Sequence, residues 1–97
     1  MEKEITLKAD EALEYIKTNV EHHDTIEISY NRIYAPGTVL GIEEDVIDGE
    51  EVLNLTIHLN GEIVSDTVEV NLHAIKNDIL EVRHTRGEKS TIIVVTE

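Results

Sequence analysis

The sequence predicts an α+β domain, with one N-terminal helix packed on a five- or six-stranded, mostly antiparallel sheet. Three observations predict it. Ala9, Leu13, Ile16 and Val20 recur at spacings of four, three and four, which is one face of a helix. Beyond Thr25 the apolar period changes to two, in short runs separated by turn residues. The core must be built from Ile, Val and Leu, because the chain has no Phe, Trp or Cys, and such β-branched residues favour strands. At 97 residues the whole chain reads as a single domain, with an open sheet and a small, strongly bent barrel as alternative closures.

In chain order, residues 4–8 read as a short strand or lead-in, and residues 9–21 as the helix. Asp10 and Glu11 fall in its first turn, where negative charge complements the helix dipole. From Thr25, Ile26, Ile28 and Tyr30 alternate with Glu27 and Ser29 as a half-buried strand that residues 31–34 continue. Ala35-Pro36-Gly37 is expected to turn the chain into a second strand over 38–42. Residues 43–51 hold six acids in nine positions, with Asp48-Gly49 as a turn, and read as an exposed loop. Leu53, Leu55, Ile57 and Leu59 give the inner face of the next strand, and Asn60-Gly61 signals a tight hairpin. A two-residue turn there would pair Ile57 with Val64 and Leu53 with Val68, with a bulge near Ser65-Asp66 to move Asp66 away from Leu55. Ala74 to Asp78 reads as a turn, Ile79 to His84 as a strand and residues 85–89 as a loop. The closing run Thr91 to Val95 is apolar on both faces, so it calls for cover on both sides, from within the sheet or at a subunit contact.

Composition narrows the function classes. Eight basic and 21 acidic residues give a net charge of −13, which repels phosphate backbones and anionic lipid. Nucleic acid is therefore a disfavoured partner, and a basic protein a favoured one. The start of the sequence carries no signal-peptide pattern and no run reaches the roughly 20 apolar residues of a membrane span, so the expectation is a cytoplasmic protein, a monomer or homodimer, that engages no membrane. Without cysteine there is neither a disulfide framework nor thiolate chemistry.

No cofactor or catalytic motif emerges. Ser29, Ser65 and Ser90 lack a nucleophile elbow, and the five glycines are dispersed, without a phosphate loop. The histidines read as structural or solvated; the sharper alternative is a surface zinc or nickel site of His22 or His23 with Asp24. Three groups remain as binding candidates. The acidic run, chiefly Glu43, Glu44 and Asp45, reads as solvated charge or as a dock for a basic peptide. Tyr30, Arg32 and Tyr34 share a face if residues 25–34 are one strand, a platform for stacking bases or a peptide, unless the tyrosines are core edges covered by the Arg32 stem. Arg83 and Arg86, with Lys89 and His84, form a basic hairpin opposite the acidic loop. The leading reading is a non-catalytic interaction module. RNA binding through the tyrosine–arginine face and a small enzyme or metal protein are the alternatives.

The stretch Glu14-Tyr15-Ile16-Lys17-Thr18-Asn19-Val20, followed by residues 23–37 (His-Asp-Thr-Ile-Glu-Ile-Ser-Tyr-Asn-Arg-Ile-Tyr-Ala-Pro-Gly), resembles a family of small uncharacterised proteins from methanogenic archaea. The acidic, cysteine-free composition agrees with such a source. The resemblance implies no activity, so no residue gains a role from it.

Overall fold

A computed structural model describes residues 2–59 and 66–96. Its first strand, β1 (Glu2–Lys8), leads directly into helix α1 (Ala9–Asn19). Glu11 starts the helix cleanly, because its carboxylate accepts the Lys8 backbone N–H at 3.0 Å. Ala12, Leu13 and Ile16 form the buried stripe of α1, as their spacing predicts.

The remaining strands are β2 (Thr25–Tyr30), β3 (Ile33–Ile47), β4 (Glu50–Leu59), β5 (Thr67–Asn71), β6 (Ile79–Arg86) and β7 (Lys89–Thr96). They form one open sheet of seven strands in the order β1-β7-β6-β2-β3-β4-β5, rather than the five or six expected, and it does not close into a barrel. All pairings are antiparallel except β1 with β7. The seventh strand is β1, a lead-in that gains a partner only when the far end of the chain returns beside it. Within the sheet β7 is flanked by β1 and β6; its helix-side face is covered, with Ile93 buried, while on the other face Val94 is 37% exposed. Among the described residues no helix is long and apolar enough to cross a membrane.

α1 covers one face of this sheet. Ile16 and Leu13 meet a core of Ile26, Ile28, Val39, Leu55, Ile57 and Ile93. A second short helix, α2 (Leu72–Ile75), followed by a 3-10 turn (Lys76–Asp78), replaces the turn expected at Ala74 to Asp78. Asn71 starts it by accepting the Ala74 N–H, and Leu72 anchors it in the core.

Two turns differ from expectation. Strand β2 ends at Tyr30, and Asn31-Arg32 reverses the chain with positive φ at both residues, 42° and 67°. Positive φ at both central positions is the type I′ pattern of two-residue hairpins. Pro36-Gly37 lies inside β3 instead. Counting from the closing pair Tyr30–Ile33, Glu27–Pro36 is a non-hydrogen-bonded pair, so the missing Pro36 N–H points away from β2. On that other side the pairing of β3 with β4 begins only at Gly37. Gly37 serves close approach rather than turning: a Cβ there would overlap the His58 carbonyl and the Ile57 side chain.

The β4–β5 register is also shifted. Ile57 pairs with Val68 and Leu55 with Val70, four residues from the expected alignment. An even shift keeps every inward side chain inward, and it places Val70 rather than Asp66 opposite Leu55. The hairpin signal at Asn60-Gly61 and the residues 62–65 lie outside the described residues.

Candidate functional site

The acidic stretch is a two-stranded ribbon and not a loop. β3 runs through it to Ile47, Asp48 and Gly49 turn the chain with φ of 53° and 81°, and β4 starts at Glu50. So dense a run of acids can sit in paired strands because of its register. Glu43 faces Asn54, Glu44 faces Leu53, Asp45 faces Val52, Val46 faces Glu51 and Ile47 faces Glu50. No acid opposes an acid, so direct cross-strand repulsion is avoided. Near the base of the ribbon the register slips between Val39 and Gly41, leaving Leu40 as an extra residue. Such a bulge increases local twist and re-aims the strand that carries it.

Between the ribbon and α1 lies a groove of about 410 Å³. Leu13 from α1 and Val52 and Leu53 from β4 give it apolar lining, with Val46 further along the ribbon. Five carboxylates also line it: Asp10 and Glu14 from the helix, Glu44, Asp45 and Glu51 from the ribbon. Lys17 is the sole lysine or arginine among the described residues that line it, and its ammonium reaches Glu44 at 3.3 Å across the two walls. Glu44 chiefly, then Glu14 and Glu51, hold the Lys17 ammonium above the ordinary lysine value. Asp10 is partly neutralised by Lys76 at 2.7 Å, which lowers its pKa. His73 of α2 completes the lining, and its Nδ1 is buried without a hydrogen-bond partner among the described residues. At the ribbon tip Val46 and Ile47 are 65% and 52% exposed. Of the expected acidic residues, Glu44 and Asp45 line the groove, while Glu43 does not.

At the C-terminal end of α1 sits a buried polar network that sequence reasoning did not assemble. Asp24, 6% exposed, accepts from His84 Nε2 at 2.7 Å, from Arg86 Nε at 3.0 Å and Nη2 at 2.7 Å, and from the Glu21 backbone N–H at 2.9 Å. The Arg86 guanidinium above all, with His84 and the Glu21 N–H, holds the Asp24 carboxyl far below the usual carboxylate range against the opposing effect of burial. With Asp24 ionised, His84 donates from Nε2, and its Nδ1 is hydrogen-bonded to the Tyr15 hydroxyl 2.8 Å away. Arg86 Nη2 also donates to the Asn19 carbonyl at 2.6 Å, satisfying a free carbonyl of the helix end. Both ring nitrogens of His84, both carboxylate oxygens of Asp24 and the Tyr15 hydroxyl have partners within the chain, and none of these four side chains lines the groove. The network clips α1 to β6. One signal for it was available: His84 continues the inward parity of Val82.

The other candidates are dispersed. The turn at Asn31-Arg32 places Tyr30 on the helix side, packed at the core edge, and Tyr34 on the opposite face, 59% exposed and hydrogen-bonded to Glu27. The single strand that would align Tyr30, Arg32 and Tyr34 is therefore not formed. Arg83 and Arg86, three residues apart on one strand, also point to opposite faces. Arg83 lies 3.4 Å from both Glu2 and Glu27, and Arg86 belongs to Asp24. Asp24 turns inward, away from the stacked pair of His22 and His23, which separates the three residues of the metal alternative.

Comparison with known families settles the relationship. A family model described as an uncharacterized protein conserved in archaea matches residues 3–94. The chain belongs to that family, DUF2097. No curated protein and no solved structure matches the chain. Nearly the whole DUF2097 fold described above, from β1 through most of β7, lies within the matched residues.

Proposed function

We propose that this DUF2097 protein is a non-catalytic interaction module that binds a basic protein segment in the groove between α1 and the β3–β4 ribbon. One observation carries the reading: a groove of about 410 Å³ combines apolar lining residues with five carboxylates and, among the described residues, a single lysine. Apolar surface contributes affinity through burial, and the carboxylates select positive charge and speed encounter. The net charge of −13 extends that selection over the molecule. The exposed Val46 and Ile47 at the ribbon tip add apolar contact beside the charged walls. A cytoplasmic partner suits the cysteine-free sequence.

The test compares two triple variants that remove equal charge. Glu14→Gln, Glu44→Gln and Glu51→Gln remove three of the groove's five carboxylates, whereas Glu4→Gln, Glu69→Gln and Glu81→Gln neutralise exposed or half-exposed positions that do not line it. Binding of a fluorescent oligolysine peptide, followed by anisotropy at about 0.15 M salt, is expected to weaken at least tenfold in the first variant and to change much less in the second. Equal weakening in both would mean diffuse attraction to a negative surface and would remove the groove as the site.

A further inference from the structure

We infer that the groove accepts a lysyl side chain of an extended partner segment, and that Lys17 is its built-in competitor, occupying the carboxylate wall until the partner displaces it. The inference rests on the interaction-module reading above. A lysyl side chain is a four-carbon apolar stem ending in an ammonium. The groove's lining holds both kinds of surface: Leu13 and Leu53, largely buried at its floor, with Val52, and the carboxylates of Glu14, Glu44 and Glu51, which already act on the Lys17 ammonium.

Lys17 shows what the wall already recognises. It stems from α1, crosses to Glu44 on β3 and sits in the combined field of Glu44, Glu14 and Glu51. Its side chain is 42% exposed and that of Glu44 60%, so the pair remains open to exchange with solvent and with a second cation. An exposed pair of this kind is weak, and an incoming ammonium with a buried stem outcompetes it. His73 of α2 also lines the groove. Its Nδ1 is the one buried side-chain nitrogen or oxygen without a hydrogen-bond partner among the described residues. In the neutral ring that nitrogen can serve as an acceptor.

Removing the competitor separates this inference from the reading beneath it. Lys17→Gln is expected to bind the oligolysine peptide about threefold more tightly than the wild type. Lys17→Arg keeps the competing cation and should behave like wild type. Lys3→Gln removes the same charge from an exposed position outside the groove and should shift affinity by less than Lys17→Gln. Wild-type binding that Lys17→Gln leaves unchanged or weakens would overturn the competitor role while leaving the module intact. An affinity gain equal in Lys3→Gln and Lys17→Gln would reduce the effect to net charge and overturn it as well. Absence of binding to both wild type and Lys17→Gln would overturn the module and the competitor together.

Discussion

Asp24, itself only 6% exposed, accepts four hydrogen bonds from three residues. Hydrogen bonds to a buried charge are among the stronger ones, so replacing the acceptor is costly. Asp24→Asn removes the charge and turns an amide N–H₂ toward donors, and should destabilise the fold by about 2–3 kcal/mol near neutral pH. The pH dependence has a definite sign. The folded-state pKa lies below the unfolded one, so the stabilisation is complete above an unfolded value of about 4 and disappears as pH falls toward the folded value. Urea denaturation from pH 6 to pH 2 should therefore show the gap between wild type and Asp24→Asn closing on acidification. A gap that stays constant to pH 2 would deny Asp24 its charge-based role. The residues of this network were legible only in part. The strand parity that turns Val82 inward also turns His84 inward, but nothing local to Asp24 announces partners 60 and 62 residues away.

At the scale of elements, the amphipathic stripe of α1 and the alternation of β4 were readable because each buries one face at the period of its geometry. Asp48-Gly49 was readable because its chemistry matches a turn with positive φ. Pro36-Gly37 misled for an instructive reason. Proline and glycine mark turns by backbone preference, yet here they meet two other needs, a missing N–H directed away from β2 and a close strand approach. The real turn at Asn31-Arg32 was hidden because arginine at φ 67° is a poor residue for a left-handed conformation. Arg32→Gly creates the Asn-Gly pair that a type I′ turn prefers and should stabilise the protein by about 0.5–1 kcal/mol. Chemical denaturation checks this directly; a loss of stability would show that the Arg32 side chain contributes more than its backbone costs. The acidic run has the composition of a loop, and it is the cross-strand register, invisible to composition, that keeps acids from facing acids.

The whole molecule joins distant parts of its sequence at both of its polar features. β1 pairs with β7 across almost the full chain, the network links the end of α1 to β6, and the groove brings α1 against the β3–β4 ribbon. Of the groove, the sequence displayed the charge, while its helix wall and apolar lining required the fold. Helix and ribbon together form two walls of unlike element type, bridged by Lys17 and Glu44, and the opposite face of the sheet keeps its arginine, Arg83, beside Glu2 and Glu27. The central claim is that a basic segment occupies that groove with its aliphatic stem on the apolar lining. The most direct measurement is a methyl-resolved NMR titration with the oligolysine peptide. Saturable shifts are expected on the methyls of Leu13, Val52 and Leu53, with those of Val94 and Leu80, exposed elsewhere, unmoved. Shifts scattered over the acidic surface, or absent from those three side chains while the peptide binds, would contradict that claim.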